Sequence, residues 1–246
     1  CNSGGERMAP DQLARLQGIA QRRWQRTLDD RLGLSHEELR RRLQSPPTPL
    51  PHWEPLIDDA PWQRIERHGQ DPALQSDNRW GFRLQVPELL YNRGELVNLG
   101  VARGTLSAEE RFKINEHIVQ TVVMLTRLPY PRHLRGVPEI AGAHHERMDG
   151  TGYPRRLTQA QMSVPARIMA IADVFEALTA ADRPYKPANS LSEALALMAG
   201  MAATQHIDAE LFALFVRSGV ARRYAERFMS AQQLDELDAE ALLQAL

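Results

Sequence analysis

The stretch "ARIMAIADVFEALTAADRPYK", residues 166–186, decides the fold class. Ser163 with Pro165 reads as a helix start: a serine hydroxyl accepts a first-turn N–H, and proline sits where no N–H is needed. A long buried helix is therefore expected over Ala166 to Ala181. Asp173 interrupts its face of Ile168, Ala170, Ile171, Ala172, Val174 and Phe175. A carboxylate buried there without compensation would be strongly destabilising. It either pairs with an arginine such as Arg167 or faces a cation.

Outward from this helix the pattern stays helical. Ser190 with Glu193 opens the next helix, and Ser107 caps an earlier one. In that earlier helix Ile114, Ile118, Val122, Leu125 and Leu128 form the expected buried stripe, and Pro129 and Pro131 end it. After Leu84 strand signals are almost absent, so the class is all-α. Near the start, Leu13, Leu16, Ile19, Ala20 and Trp24 recur at three and four, and Leu28, Leu32, Leu39 and Leu43 continue the stripe. This predicts a helix ended by Gly33, then a second one opened by the capping box of Ser35 and Glu38. Six prolines from Pro46 to Pro61 favour an extended connector. The expected division is an N-terminal helical segment (1–45), a Pro-rich and irregular connector (46–86), a main domain (87–220) and a C-terminal helix (221–246). Leu234, Leu237, Leu242 and Leu243 share one side of that last helix, suiting it to packing or to a homodimer contact.

The 246 residues carry a net charge of −1, with 43% hydrophobic and 25% charged residues. Such a balance calls for neither nucleic acid nor a membrane surface as partner. No apolar run approaches the roughly 20 residues that span a bilayer. A single cysteine, Cys1, excludes an internal disulfide framework and fits a reducing, cytoplasmic setting. The start at Cys-Asn-Ser-Gly-Gly instead of methionine suggests a fragment or a processed chain.

His117, the adjacent pair His144 and His145, and Asp173 are spaced as a metal site. Imidazoles with a carboxylate suit iron, manganese or zinc. The alternative is that the histidines are satisfied core residues. A shaped loop, Asp149-Gly150-Thr151-Gly152-Tyr153-Pro154, follows the pair. Gly150 and Gly152 are expected to permit positive φ, and Tyr153 to offer an aromatic face to a guanine or to a partner protein. The alternative there is a stable turn with a core tyrosine.

The ordered run from His144 through "DGTGYP" to "ADRPYK" resembles the HD-GYP subgroup of HD-domain phosphohydrolases. The resemblance implies an all-helical HD-domain bundle, hydrolysis of cyclic di-GMP and a centre of two or three metals. By position it makes His117, His144, His145 and Asp173 metal ligands. It places Gly152, Tyr153, Pro154, Arg183 and Lys186 at the nucleotide or at a partner such as a diguanylate cyclase. An arginine fork and an ammonium suit the two phosphodiester charges.

The family's early His-Asp dipeptide, whose aspartate bridges two metals, occurs nowhere in the chain. The nearest alignment puts Tyr91 and Asn92 there. A neutral amide is a poor substitute for a bridging carboxylate. The expectation is therefore one divalent ion and a degenerate module that binds cyclic di-GMP or a protein with little turnover; the alternative is an active phosphodiesterase with an altered centre.

Overall fold

The computed structural model describes residues 8–69, 71–102, 104, 106–181 and 188–244. It forms two compact units, one of Cys1–Gln70 with Gln85–Ile114 and one of Asp71–Leu84 with Asn115–Leu246. Helices dominate, and among the described residues the strands are confined to two antiparallel ribbons in the first unit.

In the first unit α1 (Pro10–Ala20) is followed by β1 (Arg23–Arg26), α2 (His36–Arg42), β2 (His52–Pro55), β3 (Arg64–Glu66), β4 (Leu89–Asn92) and α3 (Glu95–Leu99). The expected helix up to Gly33 thus stops at Ala20. Arg23 to Arg26 pair instead with the proline-flanked His52 to Pro55. The supposed continuation of the stripe is not buried: Leu28 and Leu32 are 71% and 70% exposed. What holds this region is a buried ionic network. Arg26 donates to Glu54 at 2.9 Å and to the Leu28 carbonyl at 2.8 Å, and Arg42 donates to Asp30 from both Nε and an NH2 group. Arg42 also lies over the Trp62 ring. Ser35 and Glu38 do form the capping box of α2.

A second departure comes at Tyr91 and Asn92. These residues lie on β4, which pairs with β3, rather than on a helix. Asp59 caps α3 by accepting the Leu96 N–H at 2.9 Å. A Cβ at Gly94 would lie 2.8 Å from the Asp59 carboxyl carbon, so a side chain there would displace the carboxylate that caps α3.

The dividing point of the units falls within α4 (Ala108–Leu125), whose start Ser107 caps as expected, accepting the Glu110 N–H while the Glu110 carboxylate accepts the Ser107 N–H. The buried apolar positions of α4 are Phe112, Ile118, Val119 and Val122, with Glu116 buried beside them; Ile114 and Leu128 are exposed, a correction to the expected stripe. The second unit continues with α5 (Val137–Gly142), α6 (Val164–Thr179), α7 (Leu191–Ala203), α8 (Ala209–Arg217), α9 (Val220–Phe228) and α10 (Ala239–Gln244). Ser163 and Ser190 cap α6 and α7, accepting the N–H of Ala166 and Glu193. The largest core gathers Phe175, Leu191, Leu195, Met198, Ile207 and Phe212.

The single C-terminal helix expected over 221–246 is instead α9, a 3-10 turn at Ala231–Gln233 and the short α10. Leu234, Leu237, Leu242 and Leu243 pack on the core of their own unit. No helix among the described residues is long and apolar enough to cross a membrane.

Candidate metal centre

The second unit brings the three histidines together. His117 projects from the middle of α4, and His144 and His145 occupy the turn that follows α5. Gly142, the last residue of α5, lies against α4: a Cβ there would stand 2.6 Å from Val122 Cγ2. One candidate ligand atom from each of His117, His144 and His145 lies within 4.8 Å of the other two.

The ring chemistry suits a cation. His144 Nδ1 donates to the Ala141 carbonyl at 2.8 Å, which fixes the tautomer and leaves Nε2 with its lone pair. His117 Nε2 and His145 Nε2 are 3.2 Å apart. Burial, reinforced by the neighbouring imidazoles, pushes the His145 pKa down from 6.5 to about 4. Its ring is therefore neutral near pH 7, the form a metal requires. Asp173 on α6 is half-buried, and its charge acts on both His145 and Tyr153. The arginine offered as its partner, Arg167, is instead paired with the buried Asp208 at the start of α8. Three imidazoles beside an anion fit a borderline divalent ion.

The loop after the pair is built to hold its shape. Gly150 takes φ of 78°, as expected. Gly152 does not belong to that class. It is needed for close approach, because a Cβ there would lie 2.6 Å from the Glu146 carbonyl carbon. The Tyr153 N–H donates to the His145 carbonyl at 3.2 Å, and the Tyr153 ring stacks on His145 with centroids 4.8 Å apart. Pro154 is buried, and its carbonyl accepts the Arg83 N–H at 2.7 Å. Gly152 and Pro154 thus shape the loop, while Tyr153 is half-buried with one face on a histidine.

Two supports escaped the sequence reading. Glu146 is buried, and its carboxylate accepts the N–H groups of Arg155 at 2.6 Å and Leu157 at 2.8 Å. The segment 71–84 lies under the loop, where Arg155 donates to the Trp80 carbonyl at 2.9 Å and its guanidinium stands over the Phe82 ring. A glutamate directly after two metal-type histidines was the available signal for the first. The second pairing spans 75 residues and leaves no local trace.

Tyr91 and Asn92 belong to the first unit, where they line an open groove of about 720 Å³ with Arg93, Glu95 and Asn98. The Asn92 side-chain carbonyl accepts the Gly94 N–H at 3.0 Å. Arg183 and Lys186 lie outside the described residues.

A family model described as an HD domain matches residues 54–211. A 3'3'-cGAMP-specific phosphodiesterase 1 of Vibrio cholerae is 49% identical over 174 residues, covering 66% of this chain and 39% of that protein. A cyclic di-GMP phosphodiesterase of Pseudomonas aeruginosa is 44% identical over 82 residues, or 33% of this chain and 19% of its own length. A cyclic di-GMP phosphodiesterase response regulator of Xanthomonas campestris pv. campestris is 52% identical over 59 residues, 24% of this chain and 15% of that protein. The chain thus spans about two fifths or less of the length of these relatives.

Proposed function

The chain belongs to the HD-domain family, in its HD-GYP subgroup, and from that premise we propose that its second unit is a metal-dependent centre for cleaving the phosphodiester of a cyclic dinucleotide. The observation that carries this is the convergence of His117, His144 and His145, with two of the three rings held by neighbours: His144 by the Ala141 carbonyl and His145 by Tyr153. His117, His144 and His145 would hold the ion, with Asp173 supplying negative charge beside it. When bound, a divalent iron, manganese or zinc ion supplies Lewis acidity to a phosphoryl oxygen and to the attacking water.

The chain's own groups set the conditions for that chemistry. Burial keeps His145 unprotonated, so its lone pair is available at neutral pH. The Tyr153 ring covers one face of His145 and limits its rotation. By the resemblance Arg183 and Lys186 would meet the phosphate charges, for which a guanidinium and an ammonium are suited. A second reading, nucleotide or protein binding without turnover, draws on the lack of any His-Asp dipeptide in the sequence.

Incubation with cyclic di-GMP and with 3'3'-cGAMP in manganese or ferrous iron separates the two readings and the two substrates. The first reading expects a linear dinucleotide from at least one of them, lost in His145→Ala and Asp173→Ala. Binding of either nucleotide without product in the parent chain would favour the second.

A further inference from the structure

We propose that Glu146 is a positioning residue for the histidine pair, acting through the loop it anchors; the inference rests on the reading of the site as a metal centre. Glu146 is 1% exposed and adjoins His145 in the chain, yet its carboxylate turns away from solvent to accept the N–H groups of Arg155 and Leu157. Those two bonds draw the far end of the loop back to the residue that follows the histidines. The near approach of Gly152 to the Glu146 backbone closes the same ring of contacts. Inside it, the Tyr153 N–H reaches the His145 carbonyl and the Tyr153 ring lies on the imidazole.

A carboxylate suits this position for a geometric reason. Two backbone donors converge from one side, and each needs its own acceptor oxygen. Glutamine offers one oxygen and turns an amide N–H toward the other donor, so one bond is replaced by a clash of donors. Burial of Glu146 removes water as a substitute acceptor. The opposite side of the loop is held independently, through Pro154 and Arg155 to the 71–84 segment. Glu146→Gln is therefore expected to leave the unit folded while loosening the hold on His145.

The test reads histidine ring signals by NMR in the metal-free chain and, separately, manganese affinity by calorimetry. It compares Glu146→Gln with Phe212→Leu, a change in the core cluster of the second unit at a residue outside the loop. Stacking on Tyr153 shifts the His145 ring protons by ring current, and this shift reports positioning without any metal or turnover. Glu146→Gln is expected to move that signal toward the position of an unstacked histidine, with His52 and His68 unchanged. It is also expected to weaken manganese binding by about tenfold or more, the scale seen when groups behind metal ligands are lost. Phe212→Leu is expected to do neither. An unmoved His145 signal in Glu146→Gln would overturn the proposal, as would an equal movement in Phe212→Leu. If the signal moves while the parent chain holds no manganese, the metal-centre reading falls and the positioning role stands.

Discussion

At the scale of single residues, two glycines make opposite predictions. Gly152 has no room for a side chain, so Gly152→Ala should destabilise the second unit by about 1–3 kcal/mol through overpacking. Gly200, within α7, has open space around it, and Gly200→Ala should stabilise by about 0.5–1 kcal/mol. Urea denaturation of the two variants checks both signs. His145 sets a pH dependence as well. Its folded pKa of about 4 lies below the unfolded value of 6.5, so between those limits the unfolded chain binds more protons. Stability of the metal-free protein should therefore fall as pH drops from about 6.5 toward 4, and remain level above. His206, whose pKa burial also lowers, adds to the slope in the same direction. His145→Gln should reduce the slope of melting temperature against pH between pH 7.5 and 4.5; an unchanged slope would count against a buried neutral His145.

At the scale of elements, the junction of α6 and α8 is the most consequential. Asp208 is fully buried; its side chain caps α8 at the Leu211 N–H and accepts from Gln159 and Arg167. Asp208→Ala would strand the partly buried Arg167 guanidinium and is expected to cost about 3–5 kcal/mol, read as a lower urea midpoint. The caps at Ser35, Ser107, Ser163 and Ser190 were legible because a capping hydroxyl works within four residues. The ribbon of β1 and β2 was not legible. Its partners are 28 residues apart at Gln25 and Trp53, further apart at Arg23 and Pro55, and Leu13 to Trp24 fit helical spacing equally well. Proline density at 46–61 signalled extended chain, but extended chain can pair as well as connect. For the site, the three histidines that converge were readable from residue type and spacing. Glu146 and the 71–84 support were not, because their work is done on backbone groups brought close only by the fold.

At the scale of the whole chain, the two compact units give ligand binding a regional signature. An ion held by His117, His144 and His145 belongs to the second unit and should stabilise that unit by about 2.7 kcal/mol at a hundredfold excess over its dissociation constant. Hydrogen exchange should show added protection in α4 to α6 on manganese addition, with β1 and β2 unchanged. The most direct test of the central claim is calorimetric titration of the metal-free chain with manganese, repeated on His145→Ala and Asp173→Ala. The account predicts a saturable site of at least one ion per chain, abolished by the first substitution and weakened by the second. Absence of binding, or binding that survives His145→Ala unchanged, would contradict it.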